Sequence, residues 1–287
     1  MKSSASNNSP SIEQMSRRDV DVAVEWARRE GWNPGVDDAE CFFHADPEGF
    51  FAAKINGEIV GTVSVVKYSG DFAFEGLLIV KPEFRGQGIG AEIQSFVNAK
   101  FANLNLGLDA VLPMKEKYAR AGFKFAHENI RYAGASQNAS ASSCCLPIQK
   151  RDFDAVVSFD EKIFPASRTK FLECWLFQKD AKAFLARRKG NGDICGYGVI
   201  RKCVAGHKIG PLFADDVATA GVLFGDLVST ARGEKVFLDV PRPNNAAVRL
   251  AEKHGMHAVF ATARMYTKNV PALPLDQIFG ITSFELS

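Results

Sequence analysis

The stretch with types and spacing that could do chemistry is Leu77-Leu78-Ile79-Val80-Lys81-Pro82-Glu83-Phe84-Arg85-Gly86-Gln87-Gly88-Ile89-Gly90. An apolar strand ends at Lys81-Pro82, because proline cannot continue a central strand. A loop with three glycines follows and opens a long helix. Glycine lets the backbone approach a ligand closely, and a helix start offers unpaired N–H groups at the positive end of its dipole. Together they make a cradle for a phosphate or pyrophosphate, with Lys81 and Arg85 adding positive charge beside it. A tight strand-to-helix turn would use the same glycines. The spacing is neither G-x-x-x-x-G-K-[ST] nor G-x-G-x-x-G, which excludes a Walker loop and the dinucleotide fingerprint.

The elements around this loop are legible from periodicity. Asp19 to Arg29 carries Val20, Ala23, Val24, Trp26 and Ala27 at helical spacing, with Gly31 as a stop. Gly49–Lys54 and Glu58–Tyr68 read as strands around the hairpin turn Asn56-Gly57. Phe72–Val80 is a third strand, Gly88–Asn103 a helix and Leu106–Leu112 a strand. Pro113 opens a short helix through Arg120 that Gly122 ends, and Phe123–Tyr132 is a last strand. The fold class is α/β with a mixed sheet. Residues 134–143 hold only small or polar side chains and read as a linker between 11–133 and 144–287. The second part repeats the order faintly: a helix at 152–164, strands at 194–203 and 208–214, a helix at 217–231, a strand at 235–240, a helix at 245–254 and a strand at 257–267. Gly76-Leu77-Leu78 matches Gly210-Pro211-Leu212, Leu108-Asp109 matches Leu238-Asp239, and Gly122-Phe123 matches Gly255-Met256. These pairs point to an internal duplication.

Composition bounds the rest. The chain has 287 residues, 46% hydrophobic and 24% charged, enough to bury the cores of two domains. Lys+Arg is 35 against Asp+Glu 33, a balance that excludes a general electrostatic nucleic-acid binder. No run approaches the roughly 18 apolar residues of a membrane span. Residues 1–10 are polar, without the apolar run of a secretory signal, and read as a disordered leader. Cys41, Cys144, Cys145, Cys174, Cys195 and Cys203 form no C-x-x-C pair, so they read as reduced thiols of a cytoplasmic protein with no metal site. Asn138-Ala139-Ser140 is a chance glycosylation sequon on that reading.

The loop Arg85-Gly86-Gln87-Gly88-Ile89-Gly90 resembles the acetyl-CoA loop [QR]-x-x-G-x-[GA] of the GNAT acetyltransferase superfamily, and Val80-Lys81-Pro82-Glu83-Phe84 before it is family-like. Tyr118-Ala119-Arg120-Ala121-Gly122-Phe123 is similar to a second family motif. The resemblance covers 11–133 well and 144–287 weakly. The second part resembles the degenerate GNAT-like domain of a tandem subgroup, as do the words Glu30-Gly31-Trp32-Asn33-Pro34-Gly35 and Asp46-Pro47-Glu48-Gly49-Phe50.

The resemblance implies a GNAT fold and an acetyl-CoA-dependent acyltransferase. Its fourth strand would splay from its fifth, with pantetheine between them. Leu78, Ile79 and Val80 would meet the acetyl and pantetheine groups, and amides from Arg85 to Gly90 the pyrophosphate. Transfer would be direct, to a primary amine of a small molecule, in a ternary complex. A lysine or N-terminal protein acetyltransferase and a non-catalytic CoA-binding sensor are the alternatives. Tyr118 would protonate the departing thiolate, or simply pack on its helix with the hydroxyl in water. Glu75 is a candidate base, directly or through a water, or a solvent-facing carboxylate. Asp109 is a second candidate, although Asp239 at the matching place favours a structural role. Trp32 and Asn33 are candidates for binding the acceptor. Asp37, Asp38 and His44 read as surface groups. In the second part Asp215 and Asp216 replace the glycines and would repel a pyrophosphate, and Ala251 replaces the tyrosine. One acetyl-CoA site per chain is expected, in a monomer or homodimer.

Overall fold

The computed structural model describes residues 9–68, 70–135, 144–190 and 192–287. The first half runs β1 (Ser11–Gln14), α1 (Arg17–Arg29), α2 (Asp38–Ala45), β2 (Phe50–Ile55), β3 (Glu58–Lys67), β4 (Phe72–Val80), α3 (Ile89–Lys100), β5 (Asn105–Val111), α4 (Lys115–Arg120) and β6 (Lys124–Ala135). The second runs β7 (Leu146–Pro147), α5 (Phe153–Asp160), α6 (Thr169–Trp175), β8 (Ala181–Arg187), β9 (Ile194–Lys202), β10 (His207–Ala214), α7 (Val217–Ser229), β11 (Lys235–Pro241), α8 (Asn245–Lys253), β12 (His257–Tyr266) and β13 (Ile278–Gly280). Local chemistry explains the boundaries. Ser16 and Asp19 cap α1 reciprocally, and Gly31 follows it at φ +79°. Asn56 and Gly57 both take positive φ, as the tight turn between β2 and β3 requires.

All strands join one sheet in the order β1-β2-β3-β4-β5-β12-β6-β11-β10-β9-β8-β7, with β13 added on β10. The halves therefore exchange strands. β5 pairs with β12 of the second half, β6 pairs with β11, and β6 and β12 pair with each other at the centre. Two buried ion pairs sit at equivalent places in the exchange. Asp109 lies opposite Arg264 and accepts from it at 2.7 and 3.0 Å. Asp239 lies opposite Arg131 and accepts from it at 2.6 and 2.7 Å.

Both faces of the sheet are covered, so β2 reads as a run of buried residues in which Phe50 and Ala52 face one core and Phe51 and Ala53 the other. On one face α1, α2, α5 and α6 from both halves share a single core around Phe42, Phe171, Trp175 and Tyr197. On the other, α3 packs over the first half through Ile89, Ile93 and Val97, and α7 and α8 over the second.

The structure corrects several expectations. Cys41 of α2 and Cys174 of α6 are joined in a disulfide with Cα atoms 5.2 Å apart, not kept as thiols. Neither helix is marked by strong periodicity, so their contact across 133 residues is invisible in the chain. Gly134 and Ala135, read as linker, are the last residues of β6 and pair with Val236 and Lys235. The rest of that stretch, with the sequon, and residues 1–8 of the leader lie outside the described residues. Asp38 is buried, its carboxylate accepting from Arg201 Nε at 2.7 Å. No helix among the described residues is long and apolar enough to cross a membrane.

Candidate active site

β4 and β5 run parallel and in register only from Phe72–Asn105 to Glu75–Leu108. Beyond that point they separate and leave a cleft. β4 is bulged where the cleft begins: Thr62 faces Ile79 and Ser64 faces Gly76, so Leu77 and Leu78 together oppose Val63. Leu77 sits at φ +49°, held there by Thr62 Oγ1 donating to its carbonyl at 2.8 Å. Backbone groups that a bulge leaves out of the ladder can bond a ligand lying in the cleft.

At the end of β4 the chain turns through Arg85–Gly88 into α3. Gly86 and Gly88 adopt φ +78° and +91°, and a Cβ on either would meet nothing within 4 Å. Conformation is what requires glycine here, and the surface outside is open. The amides of Gly86, Gln87, Gly88, Ile89 and Gly90 have no hydrogen-bond partner among the described residues. The side chains of the loop are turned elsewhere. Arg85 donates to Val80 O at 2.9 Å and to Glu30, Lys81 pairs with Glu58 and Glu83, and Gln87 donates to Glu83 O at 3.0 Å. Successive bare amides at a helix start form an anion cradle that fits a diphosphate, so the residues present suit coenzyme A.

The cleft opens into a cavity of about 80 Å³. Its walls include Glu75, Leu78, Asp109, Tyr118, Trp32 and Glu285. Glu75 is 2% exposed, and Gln94 Nε2 of α3 donates to its Oε2 at 3.1 Å. Burial pushes its carboxyl up to about 7, against the small opposing effect of Gln94. Its Oε1 has no partner among the described residues. Gln94 is oriented in turn by Asn98, which contacts Ala121 O. Tyr118, half-buried on α4, stacks edge-on against Phe123 with ring centroids 5.6 Å apart. Burial and then the charge of Glu75 raise its hydroxyl above the ordinary tyrosine range, so it stays protonated and can donate.

The structure brings Glu75, Leu78, Tyr118 and Trp32 to one cavity, whereas Ile79, Val80 and the loop Arg85–Gly90 follow Leu78 in the chain and are not among its walls. Asn33 is elsewhere, its side chain clasping the backbone of Ala205 through Nδ2 to O at 3.1 Å and Oδ1 from N at 2.8 Å. Asp109 touches the cavity but is bonded to Arg264 and Asn129. His44 lies at the surface beside Glu173. Met114, Phe260, Thr262, Phe284 and Glu285 also line the cavity and escape sequence reasoning. Four of these, all but Met114, follow from the strand exchange and the final segment, for which the chain carries no local signal. Gln94 and Asn98 were findable, as a polar pair at i, i+4 on α3.

The matching cleft of the second half is filled. β10 and β11 are in register from His207–Val236 to Ile209–Leu238, after which β13 pairs with β10 and Ile281 N donates to Asp239 O at 2.9 Å. The helix start is occupied as well: Asp216 Oδ1 accepts from Thr219 N at 2.8 Å, and Asp215 pairs with Arg188.

Comparison with known proteins agrees with this architecture. Residues 17–111 match the model of the acetyltransferase (GNAT) family, and residues 156–280 that of an acetyltransferase (GNAT) domain. A holothin acyltransferase of Pseudoalteromonas sp. is 32% identical over 267 residues, 92% of this chain and 90% of that protein. A protein of Pyrococcus horikoshii assigned to the acetyltransferases superposes with a TM-score of 0.84 at 20% identity, over 100% of this chain and 99% of its own. A tandem GNAT protein from the clavulanic acid biosynthesis pathway does so with a TM-score of 0.65 at 12% identity, over 92% and 99%. With a GNAT match in each half and a relative that spans nearly its whole length, the chain belongs to the GNAT acetyltransferases and carries two GNAT domains in tandem.

Proposed function

We propose that the enzyme transfers the acetyl group of acetyl-CoA directly to a primary amine of a small molecule, at a single site in the first half. The observation that carries this is the continuity of bare loop amides, bulged β4 and a cavity holding both Glu75 and Tyr118. The loop amides hold the diphosphate, and the backbone at Leu77–Leu78 holds the thioester end. The amine nitrogen attacks the acetyl carbon. A backbone N–H aimed at the carbonyl oxygen stabilises the charge that develops there. Glu75 takes the proton from the amine, directly or through a water. The C–S bond breaks as the hydroxyl of Tyr118 gives its proton to the leaving thiolate. Acetamide and thiol are the products, and solvent restores both side chains.

A small acceptor is favoured over a protein because Phe260, Thr262, Phe284 and Glu285 of the second half wall the cavity. A protein lysine would need an open groove. The bare cradle of the first half, set against the filled one of the second, favours one cosubstrate per chain. The relative spanning 92% of this chain is a holothin acyltransferase, so holothin belongs in the acceptor panel. Thiol release from acetyl-CoA across small amines, with lysine peptides alongside, tests the assignment. Turnover is expected on small amines. Turnover confined to peptides would move the acceptor to protein, and tight CoA binding without turnover on any amine would make the protein a sensor.

A further inference from the structure

We propose that Phe284 and Glu285 are the acceptor-recognition element, and that they select a primary amine carried on a flat unsaturated ring with a further N–H donor. The proposal deepens the amine-acetylation reading and rests on it.

The segment after β13 is buried throughout residues 281–287 and passes from one half to the other. A Cβ on Gly210 would lie 2.3 Å from Thr282 O, and one on Gly76 would lie 2.2 Å from Glu285 O. The matched glycines of the two halves thus form the bed of this segment. Its second end lies against the β4 bulge, one residue before Leu77. It is held at both ends: Arg168 Nη1 donates to Thr282 Oγ1 at 2.8 Å and Tyr68 donates to Leu286 O at 2.9 Å. Side chains on such a segment are pre-positioned, which favours selective binding.

Trp32, Phe260 and Phe284 come from three separate parts of the chain and meet at the cavity. Phe260 and Phe284 have ring centroids 5.9 Å apart. Arg131 fixes this wall. Its guanidinium lies 4.6 Å from the Phe284 ring centroid, and its Nη1 donates to Trp32 O at 2.6 Å. Aromatic walls on several sides favour a flat ring, through stacked or edge-on contacts, over a flexible chain.

Glu285 supplies the polar requirement. It is 1% exposed, and neither carboxylate oxygen has a hydrogen-bond partner among the described residues. A buried carboxylate left so is costly. The cations around it are otherwise engaged. Arg131 is bonded to Asp239, Lys208 reaches Trp32 O at 3.5 Å, and Arg201 is bonded to Asp38 through Nε and Nη2, its Nη1 being left, like Glu285, without a partner among the described residues. They offset the charge of Glu285 without using its lone pairs, which remain for N–H donors of a ligand.

The test uses the full chain with 3-aminobenzamide (flat, with extra N–H donors), aniline (flat, without them) and cyclohexylamine (neither). Acetyl-CoA turnover is paired with calorimetry of each amine in the presence of CoA. 3-Aminobenzamide is expected to bind and react best. Glu285→Gln should raise its KM and Kd about tenfold, the loss of one charge-assisted hydrogen bond, while the KM for acetyl-CoA stays within about twofold. Phe284→Leu should weaken both flat amines towards cyclohexylamine. Unchanged KM and Kd in both variants, or cyclohexylamine binding as tightly as 3-aminobenzamide to the unaltered enzyme, overturns the proposal. The second comparison decides even if a variant fails to fold. Should no amine turn over, the reaction fails, while the binding arm still separates the three probes and judges the recognition element by itself.

Discussion

Glu75 has its charge opposed by burial, and both its chemistry and its effect on stability follow from that. Its carboxyl, pushed up to about 7, is half ionised near neutrality, as suits a base that must take a proton from an amine. Turnover is expected to rise with pH through about 7, and Glu75→Gln should lower the rate and remove that limb of the profile. Stability should move the other way. Between its ordinary value of 4.5 and about 7 the folded chain keeps this proton and the unfolded chain releases it, so stability falls as pH rises through that window. The loss is on the order of 3 kcal/mol once the window is passed. Glu75→Gln should therefore melt higher than the parent at pH 8 and no higher at pH 5. Equal melting temperatures at pH 8 would place the group in water. Tyr118→Phe tests the partner. Turnover should fall by about 10²-fold or more with acetyl-CoA affinity unchanged, since the hydroxyl acts only as the thiolate leaves. Tyr118 is legible in the chain because its spacing from Gly122-Phe123 is local. Asp38 is not, because Arg201, which buries it, lies 163 residues away and a carboxylate between Asp37 and Glu40 looks solvated.

Among the elements, the loop between β4 and α3 can be altered without disturbing what packs around it. Gly88 takes φ +91° and has open space where a side chain would go. Glutamate there would strain the turn and set a negative charge before the bare amides. Gly88→Glu is expected to abolish CoA binding by calorimetry while leaving a cooperative melt, and retained affinity would remove the loop from the site. The central strands behave differently. Asp109 and Asp239 each hold an arginine of the other half, at matched positions in the exchange. Asp109→Asn should cost about 3–5 kcal/mol in denaturant unfolding, because Arg264 is left buried and uncompensated. A cost below about 1 kcal/mol would show that the pair is solvated in solution. The strands and helices of the loop region are legible because proline, glycine and alternation mark them within a few residues. α2, α6 and β13 are not. They are short, and their burial comes from partners far along the chain.

The molecule is one sheet only because the halves trade their last long strands. Nothing local forces that trade. β6 and β12 occupy equivalent places in the two repeats and show similar alternation, so either could pair with β5 or β11 as far as pattern is concerned. The repeated words therefore reveal a duplication without revealing which copy supplies which strand. The consequence is physical. A first half expressed alone would lack β12 beside β5, the disulfide to α6 and the segment that seats on Gly76. It would present β5 and β6 as unpaired edges and an apolar helical face. Residues 1–135 alone are expected to aggregate, or to dimerise by the same exchange with a second copy. Residues 1–135 and 144–287 produced together should instead co-elute as a one-to-one complex and bind CoA, because every contact of the exchange is restored without the connecting stretch. Co-expression, size-exclusion chromatography with light scattering and calorimetry read each outcome. A first half that is monomeric, melts cooperatively and binds CoA as tightly as the intact chain would show that its site does not depend on the second half.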